Sequence, residues 1–566
     1  MNKERDWSVL ASRVYEWLGF AVALSALHLS LTFVNVWPTL KVRAGDEFSV
    51  EVAVAVLSLV CVASWHRKTA EFRFYWLSGI WVLLVLGRYI DVTTRSLYGR
   101  DVNLYWDLRH VPKVGAMFTT VASVWETLLV VFAAIMVPVV IYLSSYWCFA
   151  RIFSVLRNVH IRRSLGVAAS AICLLYVLDR VGVGSPLEAE FSDPVSIAGV
   201  EEVYEYIYEM TGAGVAALGP PQLLSSDFEH VQGADVVLVF MESYGAVSWE
   251  AEHLAADLAP SRSKFEEDVV ETGRNVVSAL VESTTFGGES WLAHISLLSG
   301  IEIRDDRANA RLMAQDRDTL VKLFGRQGYR TVAIMPGHLQ AWPEGAFYGF
   351  DEIYDHGKLD YEGPPFGWWS VTDQYALARV DSEEMEPKGV DPRFVVFTTL
   401  STHAPFTPAP PYQPDWSRVL TDQPYDSESL DRAWSDWPDW FNLGPSYVKA
   451  LGYAYQTFGG YLRFRAERDL VMILIGDHQP PALVSGEEAS WNVPIHVVTN
   501  RQRLLEKLQD RHFVEGLDPR GPVVARMDTL LPILLEAFGN NAGISRASKQ
   551  IGMSSIKLSP DVSNNF

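Results

Sequence analysis

Cysteine is scarce: the 566 residues contain three, Cys61, Cys148 and Cys173, all within apolar runs of the first third of the chain. Everything beyond them lacks a disulfide and a thiolate metal site, so a metal held there must take oxygen and nitrogen ligands. Positive charge is also in deficit, with 47 Lys and Arg against 68 Asp and Glu and a net charge of −21. The deficit is uneven. Through residue 185 there are 18 basic and 12 acidic side chains, and after it 29 and 56. So acidic a surface repels a phosphate backbone, which excludes nucleic acid as a partner. Repeats and low-complexity tracts are absent, and the 49% hydrophobic content continues through the acidic part, which argues against disorder.

The basic part contains apolar stretches long enough, or nearly so, to cross a hydrocarbon core of about 30 Å. Five are expected, at Trp17–Trp37, Phe48–Trp65, Phe74–Ile90, Val114–Phe149 and Leu165–Leu178. The first is too long for a removable signal peptide and reads as a permanent anchor. Lys and Arg near the ends of the spans favour one side by ten to six, which puts the N-terminus inside and, after an odd number of spans, the acidic part outside. The loop from Arg95 through Arg100 and Trp106 to Arg109 interleaves arginine with aromatic residues. It suits the headgroup plane, either touching a lipid phosphate or as a snorkelling anchor. Glu126, inside the fourth span, is a functional candidate or a paired helix-contact residue.

The expected organisation is a membrane domain over 1–185, a connector over 186–233, an outer domain over 234–540 and a tail over 541–566. Val200–Glu209 has helical spacing, and Gly219-Pro-Pro221 reads as a stiff break. In the outer domain the predicted strands are Asp235–Met241, Asn275–Val281, Thr331–Met335, Phe394–Leu400, Leu470–Ile475 and Val493–Val498. Leu320–Phe324 and Met527–Phe538 look helical. Continuous apolar strands alternating with helices predict an α/β domain with a mainly parallel sheet covered on both faces. Pro408–Trp440 reads as a long surface insertion.

In such folds ligands gather at the carboxyl ends of the strands. The first predicted strand ends in Glu242-Ser243-Tyr244-Gly245, the second leads into Glu282-Ser-Thr284-Thr285-Phe-Gly-Gly-Glu289-Ser290, and a late one runs into Gly476-Asp477-His478. Two carboxylates, an imidazole and a hydroxyl make a plausible oxygen and nitrogen site for a divalent cation. A threonine oxygen on such a cation loses its proton more readily and becomes a nucleophile toward phosphorus or sulfur.

With these motifs the chain resembles the alkaline phosphatase/sulfatase superfamily, and within it the membrane-anchored lipoteichoic acid synthase-like and phosphoethanolamine transferase-like enzymes. The resemblance implies an α-helical membrane domain followed by an α/β sulfatase-like domain, and one metal ion, Mn²⁺ or Zn²⁺ with Mg²⁺ also possible. It makes Glu242, Asp477 and His478 metal ligands, and Thr285 both the nucleophile and a fourth ligand. Glu289, four residues on, favours Thr285 over Thr284. It also implies a substrate pocket. Pro336-Gly-His338 with Trp342 is similar to the family's segment after the central strand, Trp369 to Asp373 to its Trp-Gly-x-x-Asp element, and Ser401-Thr-His403-Ala-Pro-Phe406 to its Asn-His-x-Pro-Phe turn. His338, Trp342, Asp373 and His403 are thereby substrate-binding candidates, with His403 also a candidate acid/base.

Departures from the pattern are informative. No Cys/Ser-x-Pro-x-Arg motif stands near Thr285, which argues against sulfate-ester hydrolysis through formylglycine. The missing cysteines favour the lipoteichoic acid synthase or glucan phosphoglycerol transferase side, yet no Arg closely follows Trp342. Phosphoglycerol and phosphoethanolamine therefore both stay open as the transferred group. The expected function is a multi-pass inner-membrane phosphotransferase that draws on a phospholipid donor and an envelope glycan or lipid acceptor. The rival readings are a phosphodiesterase or phosphatase with the same ligands, and a non-catalytic membrane receptor or scaffold.

Overall fold

The computed structural model describes residues 2–35, 42–65, 70–98, 100–121, 124–181, 191–211, 218, 222–339, 342, 345–367, 370–385, 391–486, 489–541 and 543–546. Trp369, the Gly219–Pro221 break and the tail beyond 546 lie outside them.

The N-terminal part is helical: α1 Asn2–Thr32, α2 Val50–Trp65, α3 Ala70–Tyr98, α4 Leu104–Val121, α5 Val124–Val155 and α6 Val159–Arg180. α5 packs on α1 and α3, and α2 on α6. Outward-facing Leu129, Phe132 and Ile135 of α5 are each more than 60% exposed, a surface that hydrocarbon accommodates and water does not. At 1.5 Å per residue, α5 is roughly 48 Å long, more than the hydrocarbon core of a bilayer requires.

Among the described residues, four helices (Val14–Thr32 of α1, Phe74–Leu97 of α3, α5 and α6) are long and apolar enough to cross a membrane, and α2, with 16 residues, is shorter. The five expected stretches fall on α1, α2, α3, α5 and α6, with bounds that differ at three places. The first stretch leaves the helix at Thr32, where Phe33–Asn35 pairs with Val42–Ala44. The second gives only the short α2. The fourth is two helices, because Val114–Val121 belongs to α4. A local cap fixes the start of α4: the Asn103 side chain accepts from the Trp106 amide (3.2 Å), while Asp107 accepts from the Asn103 amide (2.8 Å). Glu126 lies in the first turn of α5, exposed rather than mid-membrane, where an acid suits the positive helix end.

Connector helix α7 spans Val195–Thr211 and takes α4 against it, with Glu202 accepting from the Leu104 amide at 3.0 Å. The outer domain is built on β1 Asp235–Met241, β2 Asn275–Glu282, β3 Arg330–Met335, β4 Glu352–Asp355, β5 Arg393–Thr398, β6 Leu470–Gly476, β7 Asn492–Thr499, β8 Val514–Glu515 and β9 Val523–Arg526. Their order is β8-β2-β7-β6-β1-β5-β3-β4, with β9 beside β2. β1 is parallel to β5 and β6, and β3 to β4 and β5, whereas β7 runs antiparallel between β2 and β6. The sheet is therefore mixed but mainly parallel.

β1 is an unbroken apolar run because both its faces are covered. Val236, Leu238 and Phe240 enter a core with Phe324, Phe394 and the helix α11 Met527–Phe538. Val237, Val239 and Met241 enter a second core with α8 Glu252–Glu271 and α10 Gly444–Phe464. The insertion after residue 408 holds short helices at Trp416–Val419 and Ser427–Trp434, and Trp434 stacks on Phe366 at 6.2 Å. A short strand Gln222–Ser225 pairs with Gly543–Arg546, closing the domain where the chain enters and leaves it.

Candidate active site

The register of the sheet assembles the site. Met241 pairs with Gly476 across β1 and β6, so the residues that follow, Glu242 and Asp477, emerge side by side at the carboxyl end. Gly476 has to be glycine, since a Cβ there would overlap the Tyr244 carbonyl oxygen. Asp477 Oδ1 accepts from the amides of Ser243 (2.9 Å) and His478 (2.7 Å), tying the two strand ends together. Glu242 Oε1 lies 3.2 Å from His478 Nε2. The His478 Nδ1 contacts the Gln479 carbonyl at 2.7 Å, which makes Nδ1 the protonated nitrogen and turns Nε2 toward the carboxylates. One ligand atom each of Glu242, Asp477 and His478 lies within 4.8 Å of the others.

The loop after β2 carries Thr284 and Thr285. Ser283 donates to the Asp477 carbonyl, and the Gly287 amide donates to the Gln479 carbonyl at 3.1 Å, so this loop is pinned to the segment bearing the candidate ligands. Thr285 Oγ1, Thr284 Oγ1 and Asp477 Oδ2 are buried and have no hydrogen-bond partner among the described residues. Buried oxygens are rarely left so. A cation would satisfy Asp477 Oδ2, which His294 Nε2 approaches only to 3.7 Å, and offset the paired carboxylates beside His478, so the donor set fits a divalent metal with Glu242, Asp477 and His478 as ligands.

The charges agree. Burial raises every carboxyl pKa in the site, but at Glu242 the adjacent His478 and the Ser290 hydroxyl outweigh it and hold the group well below the usual carboxylate range. At Asp477 burial prevails, reinforced by the charge of Glu242, and the pKa rises. For His478 burial pulls the pKa down, but the two carboxylates outweigh it and push it up to about 9. Metal-free protein at neutral pH therefore carries a proton on His478 that a cation must displace.

Mn²⁺ affinity is expected to rise about tenfold per pH unit from 7 to about 9 and then level off. Calorimetric titration across that range checks this, and a flat profile contradicts it. The raised folded-state pKa also stabilises the metal-free fold below the ordinary histidine value of 6.5. That contribution is lost as pH climbs through about 9.

His403 follows β5 in a turn whose Leu400 and Ser401 amides donate to the two oxygens of Asp373 (2.7 and 3.0 Å). Burial of Asp373 pushes its pKa up to about 6. The geometry thus has Asp373 shaping the turn that carries His403. Phe366, Val371, Leu400, His403 and Phe406 line a small pocket beside it. His338 and Trp342 stack on one another at 5.0 Å beyond β3, and Trp342 rests against Tyr348.

Two residues that sequence reading passed over stand on helix α9 Ser290–Ser299. Ser290 donates to Glu242 Oε2 at 2.7 Å and lies 3.2 Å from His478 Nε2. His294, one turn later, places Nε2 3.7 Å from Asp477 Oδ2, with its ring on Phe240. Their i, i+4 spacing behind the hydroxyl-rich loop was the available signal.

A mainly parallel sheet that gathers two carboxylates, an imidazole and a threonine loop at its carboxyl end is the arrangement expected from the resemblance to the alkaline phosphatase/sulfatase-like superfamily. Residues 234–497 match the Sulfatase family model, behind N-terminal apolar helices. No curated protein matches the chain. Among solved structures, the chain is similar to the integral membrane lipooligosaccharide phosphoethanolamine transferase A of Neisseria meningitidis, at 12% identity over 88% of each chain with a TM-score of 0.48. It is similar to the lipoteichoic acid synthase LtaP of Listeria monocytogenes at 13% identity, over 56% of this chain and 78% of that one with a TM-score of 0.34. The periplasmic domain of EptC from Escherichia coli in complex with Zn is 13% identical over 58% of this chain and 87% of that one, with a TM-score of 0.36.

Proposed function

We propose that the protein is a metal-dependent membrane phosphotransferase, moving a phosphoglycerol or phosphoethanolamine group from a phospholipid to a hydroxyl of an envelope glycan or lipid. The observation that carries this reading is the buried, unpartnered Thr285 hydroxyl in a loop fastened to the Asp477–Gln479 segment. In the first step Thr285 Oγ1 forms a bond to phosphorus and the bond from phosphorus to the diacylglycerol oxygen breaks. His403, with Nδ1 directed to the Ala404 carbonyl, relays the threonine proton to that oxygen. In the second step the acceptor hydroxyl takes the phosphoryl-alcohol group from Thr285, and its proton returns to the threonine oxygen. Glu242, Asp477 and His478 with Thr285 would hold a Mn²⁺ or Zn²⁺, which would supply a lower hydroxyl pKa and offset phosphoryl charge. His338 and Trp342 complete the substrate pocket in this reading.

The reading places the protein in the cytoplasmic membrane of a bacterium, with the domain over 234–540 on the outer side. Anchoring then keeps the site at the headgroup plane, where the donor is concentrated. The test is the full-length protein in vesicles of phosphatidylglycerol or phosphatidylethanolamine with Mn²⁺. Diacylglycerol is expected from one headgroup in clear preference to the other. Release from neither removes phospholipid as the donor, and repeated turnover that leaves the phosphoryl-alcohol free in water even when an acceptor glycan or lipid is added makes the protein a phosphodiesterase.

A further inference from the structure

The membrane part touches the catalytic loop at two places. Gly287, two residues beyond Thr285 and in the left-handed region (φ +70°), abuts the Leu97 carbonyl near the end of α3, where an added Cβ would overlap it. Next to it, Arg100 forms a fork on Glu289, with Nε to Oε2 at 3.1 Å and Nη2 to Oε1 at 2.5 Å. The same guanidinium reaches Asp107 of α4 (2.7 Å) and the Asp101 carbonyl (2.9 Å), so it is itself held in place. The Glu289 side chain is only 8% exposed.

Glu289 is no ordinary surface partner. It caps α9 with φ +59°, a left-handed conformation that disfavours a side chain with a Cβ and persists where surroundings enforce it. The next residue, Ser290, donates to Glu242, and one turn on His294 faces Asp477. A planar bidentate pair fixes orientation as well as distance.

We infer that Arg100 is a positioning residue through which the membrane domain sets the first turn of α9, and with it the pose of the candidate ligands Glu242 and Asp477. The arginine-rich loop is thus directed to the active-site helix rather than only to lipid. This rests on the metal-site reading above, and its chemistry is a carboxylate–guanidinium contact across 189 residues of chain.

The test uses full-length protein in nanodiscs with Mn²⁺ as the probe. Arg100→Ala is expected to weaken Mn²⁺ binding about tenfold, to alter the electron paramagnetic resonance spectrum of the bound ion, and to speed amide exchange in residues 286–296 more than elsewhere. Glu289→Gln should reproduce these changes, and Arg100→Lys should recover part of the affinity. Wild-type affinity, spectrum and exchange in both Arg100→Ala and Glu289→Gln would overturn the inference. If the wild type binds no Mn²⁺, the metal reading falls, and amide exchange of 286–296 alone still decides whether Arg100 positions the helix.

Discussion

Thr285→Ala is expected to lower phospholipid turnover by at least about four orders of magnitude, because removing a nucleophile leaves only what binding and electrostatics contribute. The fold should tolerate the change. The Thr285 hydroxyl is buried without a partner among the described residues, so its removal forfeits no hydrogen bond, and the stability change should stay within about 1 kcal/mol. Thr285→Ser, which keeps an oxygen at the same place, should retain measurable turnover. Thr284→Ala separates the two neighbouring hydroxyls: it should stay within about tenfold of wild type, since the loss of a nucleophile is far larger. Initial rates of diacylglycerol release and thermal melts of the four proteins check this. A Thr285→Ala enzyme of wild-type rate, or a Thr284→Ala enzyme that is dead, contradicts the assignment.

Asp477→Asn should cost at least about a thousandfold in Mn²⁺ affinity, since it removes one of two ligand charges and the oxygen that has no partner. Its effect on the metal-free protein has the opposite sign. Asn keeps an acceptor for the Ser243 and His478 amides, and it relieves the burial of charge and the repulsion from Glu242 that together raise the Asp477 pKa. The metal-free variant is therefore expected to melt at or above the metal-free wild type, while added Mn²⁺ stabilises only the wild type. Melts with and without Mn²⁺ read both halves. A variant less stable than wild type without metal would show that the carboxylate is structural.

Both predictions concern residues visible in the sequence, for a reason found in the sheet. Strands buried on two faces must be continuous apolar runs, and β1 and β6 are such runs, so Glu242 and Asp477 stood out as the first polar residues after them. The end of β2 was legible in the same way. β4, with Glu352 and Asp355, and the short β8 and β9 carry no such run and escaped notice. The antiparallel course of β7 was also hidden, because an apolar run does not reveal its direction. In the membrane part, composition alone joined Val114–Val121 to α5, whereas these residues belong to α4, which begins at Leu104 behind the cap formed by Asn103 and Asp107. Ser290 and His294 showed only as an i, i+4 spacing and the Arg100–Glu289 contact not at all, since their meaning lies in how α9 packs on the strand ends and on a loop far away in the chain.

The central claim is that Thr285 carries the transferred group. The most direct measurement is rapid acid quenching of full-length protein mixed with phosphatidylglycerol or phosphatidylethanolamine and Mn²⁺ in the absence of acceptor, followed by mass spectrometry of the peptide containing Thr285. A glycerophosphoryl or phosphoethanolamine mass on Thr285, formed as diacylglycerol appears, is the predicted result. Diacylglycerol accumulating with Thr285 unmodified, or with the adduct on another residue, would contradict it.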